Sequence, residues 1–444
     1  MSRADPRTFQ TDAVQHHINL LRASSASAEG SVPGFGKTFV AAFVAREMGH
    51  ELVVCCPRVV IPHWQAAAEA AGTKVRCVSN YEQHKLGHTG MGKWDRKPSK
   101  FRDAAGKVKK SSGGTWRWTF PRPTLLVIDE AHYCKSRPSQ NAKLVTAAKR
   151  QAIPTMVMSA TLAVDPTDLY AVGYLLGLHD GEFGWDAFQS RYGVLPIGFE
   201  KKFCPLHDPT ALTRLNLELF PKRGHRKTYE DIPGFPEATT DVRAVTGDPK
   251  SLEQLAAAWS RTKELEDLHA SAATAGVERL RARQIAELAK VPAIIDLARD
   301  LVASGLSVPI FLNFHDSLDE VAKALKCDRI DGRVPEHRRQ TSIVEFQADK
   351  IHTLALQTAA GGVGISLHDT HGNRPRHSLV SPGENARDLI QVLGRNRRDG
   401  QKSPAFRTII TLDGSVEQVV HRNCSRKADQ IDTINGDDLN PLAP

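Results

Sequence analysis

The chain has 444 residues, 41% hydrophobic and 25% charged, which is the make-up of an ordinary globular protein long enough for two or three domains. A net charge of +9 favours a polyanionic partner, because Lys and Arg displace counterions from phosphates, although charge alone is also compatible with a basic protein that has no such partner. Seven cysteines without a CxxC spacing argue against a zinc ribbon or a disulfide framework; with no apolar run of about 18 residues and a polar start, the expectation is a cytosolic protein with no membrane partner.

In chain order, the first chemical signal is SVPGFGKT, Ser31 to Thr38. Gly34, Phe35 and Gly36 form a bend in which the glycines let N–H groups turn inward onto phosphate oxygens. Lys37 would reach the β- and γ-phosphates of ATP, and Thr38 would ligate Mg²⁺. The generic pattern has glycine at the first position, where this chain has Ser31. A helical pattern follows over Phe39–Met48, then a strand at Leu52–Cys56 and a helix over His63–Ala71.

Residues 93–123 interrupt this rhythm with a basic, Ser/Gly-containing stretch, read as a surface insertion with a hairpin around Ser111–Gly114. Two readings stand side by side. In one, Lys107, Lys109 and Lys110 touch a phosphate backbone with Trp116 and Trp118 stacking on bases. In the other, the segment is a solvated loop whose tryptophans pack on the protein.

The strand Leu125–Ile128 runs into DEAH, where Asp129 would hold Mg²⁺ and Glu130 would orient and deprotonate a water. His132 would link the γ-phosphate site to the next strand. That strand, Thr155–Met158, ends in SAT, whose Ser159 and Thr161 hydroxyls could bond back to the acidic segment. No chemistry is visible in residues 170–230. Pro233–Asp241 reads as a linker, and residues 251–304 as helical. Strands at Val308–Leu312, Thr353–Gln357 and Thr408–Leu412 follow. QTAAGGVGISL, with Gly364 among its three glycines, suits close backbone approach to a nucleotide. In QVLGRNRR, Gln391 to Arg398, a helix would put Arg395 and Arg398 on one face as an arginine finger; the other reading is a basic helix face. Strands alternating with helices predict an α/β chain of mostly parallel sheets, with ligands at the carboxyl ends of the strands. The expected division is 1–235, 236–432 and a polar tail at 433–444.

These blocks in this order resemble a superfamily-two DEAH-type helicase or translocase with Swi/Snf-like motifs, of a compact viral or bacteriophage type. PRTFQ resembles the adenine-recognising segment, CPRVVIPHW motif Ia, VSNYEQ motif Ib, FLNFH motif IV and QTAAGGVGISL motif V. Motif VI departs from the Swi/Snf form in having Gly394 before Arg395. The resemblance implies two RecA-like lobes with ATP between them, Gln10 reading adenine, and Gly364 and Gln391 near the nucleotide. It also implies a nucleic-acid groove contacted by Arg58, Trp64, Asn80, Tyr81, Asn313 and Thr358. DNA is preferred over RNA, with a role in replication, recombination or repair and a protein partner from those processes. Alternatives are a duplex translocase that does not separate strands, an RNA helicase, and a nucleotide-gated DNA-binding subunit of a larger complex.

Overall fold

The computed structural model describes residues 4–436, except 96–99, 103–107, 111–113, 138, 199, 248, 268–271, 359–364 and 399. The chain divides after Pro233 into two compact units, and the segment from Gln430 belongs with the first. Each unit is built on a six-stranded sheet.

In the first unit the strand order is Gly224–His225, Ala26–Glu29, Thr155–Met158, Thr124–Asp129, Glu51–Cys56, Val75–Asn80, with every ladder parallel. In the second it is Ala238–Val245, Ala405–Leu412, Arg376–Val380, Val308–Leu312, Thr353–Gln357, Asp328–Ile330, again all parallel. Central strands such as Thr124–Asp129 are buried on both faces, so their sequences are continuous apolar runs rather than alternating ones. Each unit is an α/β lobe in which a parallel sheet alternates with helices along the chain.

All six strands expected from apolar runs are present. Those that composition concealed have evident reasons. Ala26–Glu29 has three small residues before Glu29, and Ala238–Val245 is an edge strand with mostly exposed side chains. The linker expected over Pro233–Asp241 is therefore a strand from Ala238 onward, paired with Ala405–Leu412 along all of its length. The helix Val416–Asn435 runs through the expected start of a loose tail at residue 433. Ile434 is buried in the first unit's core, and Asn435 Nδ2 donates to Ala160 O at 3.0 Å.

The basic insertion forms two short antiparallel ladders, Gly92–Trp94 with Trp116–Trp118 and Lys100–Arg102 with Val108–Lys110. The hairpin expected around Ser111–Gly114 falls on residues 111–113, which lie outside the described residues. Trp116 and Trp118 alternate onto one face of their strand and are 2% and 3% exposed, joined to the core; Trp118 Nε1 donates to Leu144 O at 3.0 Å. They are anchors for the insertion and cannot stack on bases. Lys107 and the side chains of Lys109 and Lys110 lie outside the described residues.

Residues 170–225 add helices at Tyr170–Leu176, Glu182–Arg191 and Ala211–Leu219 with a hairpin between Val194–Ile197 and Glu200–Phe203. Trp185, Phe188 and Tyr192 fix this segment to the core, and it ends by laying Gly224–His225 beside Ala26–Glu29. All seven cysteines are free. Among the described residues, no helix is long and apolar enough to cross a membrane.

Candidate nucleotide site and nucleic-acid surface

The phosphate loop leaves the carboxyl end of Ala26–Glu29 and enters the helix Lys37–Glu47. Gly36 caps that helix at φ +87°, and a Cβ there would lie 2.6 Å from Gln10 Nε2, so both conformation and space demand glycine. The Lys37 ammonium folds into its own loop, donating to Ser31 O at 2.6 Å and Val32 O at 3.1 Å. Burial lowers its pKa to about 8, against the raising charges of Glu29 and Glu130. Gln10 is 5% exposed; its Nε2 donates to Phe35 O at 3.0 Å and its Oε1 accepts from Arg7 N at 3.2 Å. Its amide holds the loop. The Phe35 ring is buried against Phe9 and His225.

A buried group beneath the loop had no signal in the sequence. Glu29 accepts from His17 Nε2 at 2.9 Å, His225 Nδ1 at 3.1 Å and Ser31 N at 2.6 Å. Since a carboxylate only accepts, both imidazoles present N–H to it. Burial alone would raise the Glu29 carboxyl, but the hydrogen bonds from His17 and His225 hold it well below the usual carboxylate range. The first residue of the loop is thereby tied to two distant elements. His225 comes from 196 residues away, a separation that no local pattern reveals.

Asp129 and Glu130 end the neighbouring strand but one. Glu130 has φ 51° and ψ 54°, a left-handed conformation that costs a residue with a Cβ about 1–2 kcal/mol and turns the chain abruptly into Ala131–Cys134. The turn brings Glu130 N within 2.9 Å of Asp129 Oδ1. Ser159 Oγ lies 3.3 Å from Glu130 Oε2 and 3.2 Å from His132 Nδ1, and His132 Nδ1 is itself 3.2 Å from Glu130 Oε2. The Glu130 carboxylate is thus held between two side chains. Thr161 differs from expectation: its N–H donates to Ser159 Oγ at 3.2 Å, while its own hydroxyl is buried without a hydrogen-bond partner among the described residues.

The residues read as nucleic-acid contacts in the first unit divide. Arg58 is exposed. Asn80 is the cap of helix Tyr81–Lys85, accepting from Gln83 N at 3.0 Å. Trp64 is fully buried and Tyr81 is 6% exposed. Neither can meet a base. Trp64 Nε1 donates to Asp129 Oδ2 at 2.8 Å, and Tyr81 Oη donates to Asp129 O at 2.6 Å.

In the second unit the helix Ala386–Leu393 stops before Arg395, so Arg395 and Arg398 do not share a helix face. The loop after it brings them together instead: Arg395 Nη1 lies 3.0 Å and Arg398 Nη2 3.4 Å from the one carbonyl of Ile365. Arg395 is 5% exposed, whereas Arg398 and Gln391 are half-buried. Gly364 lies outside the described residues. Asn313 and Thr358 line one pocket of about 210 Å³ with Arg283 and Asn385. Thr358 is buried and donates to Leu312 O at 3.1 Å. Asn313 is fixed by Glu287, which accepts from Asn313 N at 3.0 Å, Asn313 Nδ2 at 2.8 Å and Phe314 N at 2.9 Å.

Residues 289–400 match the family model of the helicase conserved C-terminal domain. A protein of Acanthamoeba polyphaga mimivirus, named as an ATP-dependent RNA helicase, is 29% identical over 97% of this chain and 84% of its own length. Its likenesses are those of a superfamily-two helicase. The helicase is also similar to a Caenorhabditis elegans homologue of the SWI/SNF-related, matrix-associated, actin-dependent regulator of chromatin, subfamily A-like protein 1. That protein is 24% identical over 70% of the chain and 45% of its own length. The mouse DNA annealing helicase and endonuclease ZRANB3 is 22% identical over 70% of the chain and 30% of its own length. The chain therefore spans less than half the length of these two animal relatives. Its helicase relatives make it an ATP-hydrolysing enzyme.

One expected result follows from the position of Lys37. Lys37→Ala should weaken ATP binding by about 10- to 150-fold, the loss of a charged hydrogen bond worth about 1.5–3 kcal/mol. Fluorescent-nucleotide titration checks it, and wild-type affinity would remove Lys37 from the phosphate site.

Proposed function

We propose that this helicase is a DNA-dependent motor that hydrolyses ATP to move along DNA and to unwind or remodel it. The observation that carries the reading is the assembly at one end of the first sheet: a phosphate loop holding Lys37, and a strand end whose Glu130 is fixed by Ser159 and His132. The preference for DNA is supported by the SWI/SNF-related and DNA annealing relatives, which match over 70% of the chain. RNA is the second reading, favoured by the printed name of the viral relative.

In the proposed mechanism Lys37 exchanges the Ser31 and Val32 carbonyls for phosphate oxygens. Glu130 orients the attacking water and takes its proton, with Ser159 and His132 keeping its carboxylate in place. Thr38 and Asp129 would hold Mg²⁺, which supplies charge neutralisation at the phosphates; the hydroxyl and carboxylate are the hard oxygen donors it prefers. The acidic pair fits a cation. Burial, then the adjacent Glu130 charge, raise the Asp129 pKa to about 7, opposed by the Trp64 hydrogen bond and Lys37, a balance that an added cation would tip towards the carboxylate. Arg395 and Arg398 would supply the finger. The free cysteines agree with a reducing cytoplasmic setting.

Steady-state ATP hydrolysis measured without nucleic acid and with single-stranded, duplex and forked DNA and RNA, at fixed low salt, tests the reading. DNA is expected to stimulate turnover. Stimulation by duplex alone would make the protein a translocase that leaves strands paired, and stimulation by single strands or forks a strand-separating helicase. Stimulation by RNA alone would overturn the choice of DNA, and no turnover under any condition would overturn the motor.

A further inference from the structure

A buried indole N–H needs an acceptor, since indole has a donor and no lone pair to offer. Trp64 finds its acceptor in the side chain of Asp129. It begins the first turns of helix Ile61–Ala71, which follows the strand Glu51–Cys56, the immediate sheet neighbour of Thr124–Asp129. Tyr81 starts the helix after Val75–Asn80, one strand further out, and its hydroxyl reaches the main-chain carbonyl of the same aspartate. The two Asp129 oxygens are accordingly each engaged once, Oδ1 by Glu130 N at 2.9 Å and Oδ2 by Trp64 Nε1 at 2.8 Å. Donors on both oxygens fix the plane of the carboxylate, and a carboxylate with about four acceptor positions keeps room for a further partner.

We infer that Trp64 and Tyr81 are positioning residues for Asp129, setting its carboxylate and its main chain in the orientation that takes the divalent cation. The inference rests on the proposed metal role of Asp129. It assigns to two aromatic residues, read from the sequence as nucleic-acid contacts, work on the nucleotide side of the sheet. Outer partners of this kind, when removed, weaken metal affinity by about 10- to 100-fold. A purely space-filling tryptophan would leave metal affinity alone and affect only stability.

The test is ADP binding to the full-length protein by calorimetry, with Mg²⁺ titrated and in excess EDTA, for the wild type, Trp64→Phe, Tyr81→Phe and Asp129→Asn. Thermal melting accompanies each variant. Trp64→Phe keeps most of the buried ring and loses the donor. It is expected to leave ADP affinity in EDTA unchanged and to raise the Mg²⁺ concentration needed for half-maximal tightening by about 10-fold or more. Tyr81→Phe should shift it in the same direction. If Asp129→Asn abolishes the Mg²⁺ dependence while both aromatic variants keep the wild-type value, the positioning role is overturned and the metal role stands. If Asp129→Asn retains the full Mg²⁺ dependence, the metal role itself fails, and the inference with it. Should Trp64→Phe lose its folded melting transition, Tyr81→Phe decides alone: an unshifted Mg²⁺ dependence overturns the inference.

Discussion

Glu130→Gln is expected to bind ATP as the wild type does and to hydrolyse it about 10²–10⁴-fold more slowly, the range for a lost general base. Glutamine has the shape of the native side chain and can still accept from the Ser159 hydroxyl, which lies 3.3 Å from Glu130 Oε2. It cannot take a proton from water. It also removes the charge that helps to raise Asp129, so metal-dependent nucleotide binding should be no weaker than in the wild type. Single-turnover hydrolysis and equilibrium ATP binding, measured on the same preparation, separate the two effects. Hydrolysis at the wild-type rate would remove Glu130 from the chemistry. Lost ATP binding would mean that the left-handed turn at residue 130 depends on the carboxylate and that the variant reports on folding of the site.

Arg398→Ala is expected to leave ATP binding in place and to cut hydrolysis by about 10³–10⁵-fold, the contribution of an arginine finger. Arg398 lies in the second unit and the loop that holds Lys37 in the first. Arg398→Lys should recover little, since an ammonium lacks the planar fork of a guanidinium. Arg395 gives the contrast: its guanidinium is buried on the Ile365 carbonyl, and Arg395→Ala should lower the melting temperature as well as the rate. A wild-type rate for Arg398→Ala, with DNA affinity reduced and its salt dependence flattened, would place Arg398 on nucleic acid instead.

Much of the proposed site is legible in the chain because its parts are local. SVPGFGKT and LLVIDEAH each bring backbone shape and side-chain chemistry together within eight residues, so spacing alone exposes the phosphate loop and the acidic strand end. Readings that needed a direction for a side chain failed more often. Trp64, Tyr81, Trp116 and Trp118 have the composition of a base-stacking surface and are all buried. An aromatic residue satisfies a core and a binding face equally well in sequence, and only the packing distinguishes them. The arginine pair was rightly grouped, but a helix was the wrong reason for it. The helix ends at Leu393, and a loop that folds both guanidinium groups onto Ile365 O does the grouping.

The sequence by itself determined the parallel α/β character of both units, because strands buried on two faces must be continuously apolar, and it determined the order of the proposed nucleotide-binding elements along the chain. Only the tertiary structure decided what braces them. Glu29 acquires His17 and His225, Asp129 acquires Trp64 and Tyr81, and Asn313 acquires Glu287, over separations of 12 to 196 residues. Each brace has at least one partner that is buried. Burial makes such pairing obligatory, but which partner is near depends on strand order in the sheet, and strand order is not written in any local stretch of the chain.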